Sequence, residues 1–543
     1  MTFRKNEEFK YIPQYARYTH RISNPPKHEF QRRIVVISDS HISPSPNKHF
    51  NKKMWDKAID EILKIKNVDY YIHLGDLVHD GTFREYQVAL DLLEPLLEKD
   101  FYIVPGNHDS RNVGFRLFED YFGKRSFQIE DEDLYILGVD SSEPDQDWGV
   151  LGKTGIDKSQ ERFLDRQDKT KIFCFHHHLL PIPNTGRKRA AVRDGGDVLG
   201  MLLENNVDLV LNGHHHISNF YTCTDGDCDL AIYNAGTISC NKTRYNELFS
   251  YNIMDISDKV VKIDMRSHYT NSNRIRGRFI NQKFMENHTD LKHPFMTLVH
   301  MGNTHFAEGH FNQFMYYQAM AQINELDPNL VVHTGSLTYK NNLDEYQLAA
   351  KFLKKLNPKL IVIPGFRDLR KYGWKLFPKM FGQLEENYEQ DHLRIMNINT
   401  VDPNIQHGKI GRNKMKNIAK YFSNRSHDKF NIIAMNSRLV PCPHLKYDKI
   451  LTDSGNVLDS FTIPKHNIDL ILTGKNNVGY AIQVEDTVLS MCGSLCSNHS
   501  VDLESYTYNI INFYENGLVR VLEHDVKENK NKVLGSFWTR YST

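Results

Sequence analysis

The sequence predicts an α/β protein built from two tandem layered domains. Three observations carry this prediction: the length, an internal repeat, and the alternation of β-branched runs with helical patterns. At 543 residues the chain exceeds what one ordinary core holds, so two or more domains are expected. The repeat divides them. Gly114-Phe115-Arg116-Leu117-Phe118 with Phe122-Gly123 recurs 259 residues later as Gly373-Trp374-Lys375-Leu376-Phe377 with Phe381-Gly382. Glu85-Tyr86-Gln87 recurs after 260 residues as Glu345-Tyr346-Gln347. Gly236-Thr237-Ile238 and Tyr251-Asn252-Ile253 recur after 257 as Gly493-Ser494-Leu495 and Tyr508-Asn509-Ile510. Near-equal offsets in one order imply two copies of one domain, at 34–270 and 294–543, with an N-terminal extension 1–33 and a polar, basic linker 271–293.

Within the first copy, Arg33 to Ser38, Phe101 to Val104, Lys171 to Phe175 and Val207 to Leu211 read as buried strands. Met54 to Ile65 and Tyr86 to Leu97 space their apolar residues as helices do. Strand and helix in alternation imply layered packing, with chemistry carried by loops at strand ends.

Composition excludes some classes. Apolar content of 40%, charged content of 25% and a net charge of +1 are those of an ordinary globular protein, with no global signal for nucleic acid or membrane. Seven scattered cysteines suit a reducing compartment better than a disulfide framework, although Cys223 and Cys228 flank a turn that a bridge could span. No stretch is long and apolar enough to span a bilayer, and residues 1–33 contain no apolar signal core, so a cytoplasmic location is the expectation.

Five motifs follow the first copy's strands: Asp39-Ser40-His41, Gly75-Asp76, Gly106-Asn107-His108-Asp109, His176-His177-His178 and Gly213-His214-His215-His216. Together they offer carboxylates, imidazoles and an amide oxygen, a mixed donor set that suits Mn, Fe or Zn. The glycines before Asp76, Asn107 and His214 let the backbone bend and approach closely. Singly, a Gly-Asp or Asp-x-His is a common turn or surface pair. All five in order, each after a strand, are specific.

These motifs resemble the full signature of the calcineurin-like metallophosphoesterases. The segment from Gly75-Asp76-Leu77 to Glu85-Tyr86 looks most like the branch of class III cyclic nucleotide phosphodiesterases. The resemblance implies a β-sandwich flanked by helices and two divalent transition-metal ions. One would be held by Asp39, His41, His216 and a bridging Asp76, the other by Asp76, Asn107, His176 and His214. His177 is the alternative to His176, and His215 is expected to point away. The resemblance also implies attack on phosphorus by a metal-bridging hydroxide. His108 would steady the phosphoryl oxygens or protonate the leaving group, with Asp109 orienting it.

Arg187, Lys188 and Arg189, followed by Arg193, form a basic run that reads either as a solvated face or as a clamp for a phosphate or nucleotide. In the second copy the ligand positions hold Asn303, His305, Ser336, Phe366, Asn436, Lys475 and Asn477, with Arg367 at the place of His108. That copy is therefore expected to lack a metal centre. The leading functional reading is a phosphodiesterase acting on a small nucleotide-like substrate. The alternatives are a phosphomonoesterase or pyrophosphate hydrolase, and a binding or scaffold protein that uses the second copy to dimerise or hold a partner.

Overall fold

The computed structural model describes residues 30–44, 48–183, 192–225, 228–244, 247–257, 260–279, 293–401, 407–423, 429–445, 450–462, 466–474, 478–498, 505–515 and 517–539. These divide into two compact units. The first takes its residues from Met1–His178, Asn205–Phe220 and Leu230–Thr289, and the second from Leu179–Glu204, Tyr221–Asp229 and Asp290–Thr543.

The chain opens with β1 (Arg32–Ile37), α1 (Lys52–Ile62), β2 (Tyr70–His73), α2 (Phe83–Leu97), β3 (Phe101–Ile103), α3 (Gly114–Phe122), β4 (Phe127–Glu130), β5 (Leu134–Gly138), α4 (Gly152–Leu164) and β6 (Thr170–Cys174). Then come α5 (Gly195–Glu204), which belongs to the second unit, β7 (Leu209–Asn212), β8 (Asn219–Asp225), β9 (Cys228–Asn234), β10 (Tyr251–Ile256), β11 (Val260–Ser267) and β12 (Ser272–Phe279). One sheet of the first unit runs β12-β11-β10-β1-β2-β3, with β1, β2 and β3 parallel. A second series pairs as β4-β5-β6-β7-β9, parallel from β5 onward.

Strand β1 explains the layering, because successive side chains on a strand point to opposite faces. Ile34 and Val36 enter a core shared with Ile136, Ile172, Leu209 and Leu211 of the second series. Val35 and Ile37 instead meet Trp55, Ala58 and Ile59 of α1 and Tyr86 and Ala89 of α2. This is the expected sheet-on-sheet core with helices outside. Asn51 caps α1 through its side chain, and the Glu85 carboxylate accepts the N–H groups of Asp80 and Thr82 at the start of α2.

The second unit contains β13 (Met296–Met301), α6 (Gln313–Leu326), β14 (Leu330–His333), α7 (Leu343–Leu353), β15 (Leu360–Val362), α8 (Phe366–Leu369), α9 (Gly373–Phe381), β16 (Asn387–Gln390), β17 (Leu393–Ile398) and α10 (Arg412–Ser423). It continues with β18 (Phe430–Met435), α11 (Ser454–Thr462), β19 (Leu470–Thr473), β20 (Tyr480–Val484), β21 (Thr487–Met491), β22 (Thr507–Phe513), β23 (Leu518–Asp525) and β24 (Lys530–Trp538). One sheet runs β15-β14-β13-β22-β23-β24, and the other series pairs as β16-β17-β18-β19-β21-β20. Leu298, Val332, Ile395, Ile432 and Leu472 share one core, while Val299 and Val331 pack with Tyr316, Ala319 and Tyr346 of the helices.

Part of the stretch read as linker is a strand. Ser272–Phe279 forms β12 antiparallel to β11, and its sequence explains why: Arg274, Arg276 and Arg278 alternate with Ile275, Gly277 and Phe279 at the two-residue period of a strand, which the basic composition obscured. Cys174, Cys223, Cys240, Cys442, Cys492 and Cys496 are buried free thiols. No helix among the described residues is long and apolar enough to cross a membrane.

Candidate metal centre

The loop after β1 lies alongside the loop after β2. Asp39 N–H donates to the Gly75 carbonyl at 3.0 Å, His41 N–H to that of Asp76 at 3.0 Å, and Ile42 N–H to that of Leu77 at 2.7 Å. Both loops turn through left-handed backbone: φ is 54° at Asp39, 49° at His41 and 54° at Asp76. His214 (78°) and His216 (56°) do the same after β7. Each such non-glycine residue costs on the order of 1–3 kcal/mol, and strain of this kind concentrates at functional sites. Five of the seven expected ligands carry it.

The glycines have the role read from the sequence. A Cβ on Gly75 would lie 2.7 Å from Gly106 N, and one on Gly213 would lie 2.1 Å from Ser38 Oγ. Bare backbone at these positions lets three loops converge.

Two donor groups meet at one carboxylate. Asp39, His41, Asp76 and His216 each bring a donor atom within 4.8 Å of the others, and Asp76, His176 and His214 do likewise, so Asp76 belongs to both. His41 Nε2 is 3.0 Å from His216 Nε2 and 3.5 Å from Asp76 Oδ2. His216 Nε2 is 3.2 Å from Asp39 Oδ1, and His176 Nε2 is 3.3 Å from Asp76 Oδ1. Asn107 Oδ1 stands 2.9 Å from His214 Nδ1. His176 and His216 anchor their other nitrogens on carbonyls, donating Nδ1–H to Leu74 and Lys242, which turns Nε2 of each inward.

Electrostatics follow from this crowding of buried groups. Burial alone would raise Asp76, but the His176, His108 and His41 rings hold it well below the usual carboxylate range. Burial likewise opposes charge on His176 and His216. Asp76 nevertheless pushes His176 up to about 9, and Asp39 pushes His216 up to about 10. His41 and His214, lacking so close a counter-charge, are driven well below the ordinary histidine value, chiefly by burial and then by neighbouring rings.

Among the three successive histidines it is His176 that faces Asp76, while His177 Nδ1 pairs with Ser141 Oγ at 2.9 Å. His215 belongs to neither of the two donor groups that contain Asp76; its buried ring lies 4.5 Å from that of His178. The expected pairing of Asp109 with His108 is replaced. Asp109 accepts backbone N–H groups of Leu77, Val78 and Gly106, tying two loops together, and burial and then Asp76 push it up to about 7. Both Asp109 oxygens thus face main-chain donors rather than the His108 ring. His108 Nδ1–H instead donates to the His79 carbonyl at 2.6 Å. Arg187, Lys188 and Arg189 lie outside the described residues, as do Lys475 and Asn477.

Two neighbours of the centre carry no motif of their own. Cys240 brings its sulfur into a group with His41 and His216, and His79 groups with His41 and His108. His79 was legible as the third residue after Asp76. Cys240 comes from a distant loop, and only the fold brings it near.

The donor chemistry fits a divalent transition-metal pair. Imidazole nitrogens and carboxylate oxygens converge out of solvent, with Asp76 shared between two donor groups.

Comparison with known proteins agrees with this geometry. Residues 32–218 match the profile of the calcineurin-like phosphoesterase family. A protein of Arcobacter nitrofigilis named as a probable glycerophosphodiester phosphodiesterase GpdQ is 34% identical over 27% of this chain and 56% of its own length, so the match spans little more than half of that relative. A probable cyclic nucleotide phosphodiesterase of Vesicomyosocius okutanii is 27% identical over 34% of this chain and 78% of its own. Among solved structures, the yellow lupin purple acid phosphatase PPD1 aligns over 47% of this chain and 55% of that one, at 13% identity and a TM-score of 0.39. The likeness to the calcineurin-like phosphoesterase family is thus carried by residues 32–218 of this chain.

Proposed function

We propose that the first unit is a metal-dependent phosphoesterase with a binuclear centre, acting on a phosphodiester of small, nucleotide-like size. The observation that carries this reading is the membership of Asp76 in both donor groups, the arrangement a bridging carboxylate requires. Asp39, His41, His216 and Asp76 would hold one ion, and Asp76, Asn107, His176 and His214 the other, with Mn, Fe or Zn suited to the set. Such a pair of ions supplies, when bound, a water acidified toward neutrality and charge neutralisation on phosphoryl oxygens.

The chain's own residues supply the rest. The Leu74 and Lys242 carbonyls fix the rings of His176 and His216. Because the His79 carbonyl can only accept, His108 keeps a proton on Nδ1; to protonate a leaving group it needs a second proton on Nε2, an imidazolium that burial opposes and Asp76 favours. Asp109 acts through the backbone, fastening the loops that carry Asp76 and Asn107. The names of the relatives favour diesters, glycerophosphodiesters and cyclic nucleotides among them. Cytoplasmic residence accords with the free thiols.

We further infer that the second unit is a degenerate copy of the first. Asn303, His305 and Ser336 repeat the left-handed φ of Asp39, His41 and Asp76, at 51°, 46° and 57°. Asn303 N–H donates to Gly335 and His305 N–H to Ser336, as their counterparts do. Asp368 accepts Leu337, Val-to-Thr counterpart Thr338 and Gly365 N–H groups just as Asp109 accepts its three. Asn436 Nδ2 donates to the Thr334 carbonyl where His176 donates to Leu74. No carboxylate stands at the matched ligand positions, so this copy serves packing, dimerisation or a protein partner rather than hydrolysis. Turnover of a chromogenic phosphodiester and a phosphomonoester with Mn²⁺ tests the whole reading. Preferred diester hydrolysis is expected; monoester preference would move the assignment to a phosphatase, and no turnover of either would remove the catalytic reading.

A further inference from the structure

His79 holds an unusual place beside the centre. Its Nδ1 lies 3.1 Å from Nδ1 of His41, its carbonyl accepts from His108, and its ring stacks on that of His49 at 4.2 Å with an 18° tilt. The other two histidines that turn Nε2 inward, His176 and His216, rest their outer nitrogens on main-chain carbonyls. His41 rests on a side chain, and side chains can be exchanged without disturbing the backbone.

We propose that His79 is a positioning residue that fixes the ring and tautomer of His41 and thereby sets how tightly one of the two ions is held. The proposal rests on the binuclear reading above. The tautomers follow from donor counting. A coordinating Nε2 on His41 must present its lone pair, so a neutral His41 carries its proton on Nδ1. The facing Nδ1 of His79 must then accept, which places the proton of His79 on Nε2. The stack with His49 holds the plane of the accepting ring. The second unit offers an internal contrast: Tyr339 stands at the corresponding step, stacked on His310 at 3.7 Å, and His305 Nδ1 pairs with Ser497 Oγ at 2.7 Å.

The test is a Co²⁺ titration of the full chain against a competing chelator, read by visible absorption, with two substitutions. His79→Phe keeps a ring to stack on His49 and removes the acceptor. His79→Asn restores an acceptor, since Oδ1 of asparagine stands where Nδ1 of histidine stood. In H79F one of the two ions should weaken by about 10–100-fold, the usual worth of an outer partner to a ligating histidine, while the other is unchanged. H79N should recover most of that loss. Unchanged binding of both ions in H79F, equal weakening of both, or an H79N as weak as H79F would each overturn the proposal. A wild-type chain that takes up no Co²⁺ would instead overturn the binuclear reading beneath it.

Discussion

Gly106 presses its bare Cα against Asp76, so closely that a Cβ there would lie 2.2 Å from Asp76 Oδ1 and 2.4 Å from Asp76 N. Gly106→Ala must therefore push the shared carboxylate aside. Displacing a reacting group by about 1 Å can cost about 10²-fold in rate, and a loss of that order is expected here. Gly155→Ala, whose Cβ would meet only Leu151 Cβ at 3.7 Å, should leave activity near wild type. Comparing kcat/KM for the two variants checks the claim, and equal activity would contradict it.

In the proposed function His108 serves the substrate rather than an ion; its Nδ1 pairs with the His79 carbonyl. His108→Ala should keep its metals and lose turnover by roughly 10²–10⁴. The loss should shrink for esters with good leaving groups, which need less protonation. Metal analysis of the purified variant decides between roles, since loss of an ion would make His108 a ligand.

Metal uptake should release protons. Without metal, His176 at about 9 and His216 at about 10 are imidazolium ions at pH 7.5, paired with Asp76 and Asp39. Coordination needs both nitrogens deprotonated, so loading the centre should expel about two protons per chain from these rings, and affinity should rise with pH. Calorimetry in buffers of different ionisation enthalpy counts the protons. No net release at pH 7.5 would contradict the pairing.

The second unit should lose stability in mild acid for its own reasons. His300 pairs with Ser490 Oγ and Thr334 Oγ1, and His333 with Thr304 Oγ1; burial lowers both rings to about 3. Their folded values lie below the unfolded value near 6.5, so the stabilisation is complete above about 6.5 and falls as pH drops toward 3. Between pH 6.5 and 5 each ring should cost about 2 kcal/mol. Denaturant unfolding at the two pH values, with and without His333→Gln, reads the slope, which should be shallower in the variant.

Much of this was legible in the sequence. The strands ended where their β-branched runs ended, and the five motifs fell on the loops that follow them, because strand ends deliver side chains to one edge of a sheet. Asp109 was misread for a physical reason. Adjacency to His108 suggests a side-chain pair, but a buried carboxylate is taken by whichever donors the fold supplies, here three backbone N–H groups. His79 stands three residues after Asp76, within reach of a reading by motif, whereas Cys240 comes from a loop far away in sequence. β12 was hidden because its arginines dominated the composition while their two-residue spacing carried the structure.

The central claim is one binuclear centre per chain, in the first unit, built on Asp76. Elemental analysis of the metal-replete full chain tests it most directly, alongside Asp76→Asn, in which a neutral amide replaces the carboxylate common to both donor groups. The expected result is two transition-metal ions per wild-type chain, with clear loss of metal and of hydrolysis in D76N at little cost to the fold. Close to four ions per chain, or two ions and full turnover retained in D76N, would contradict it.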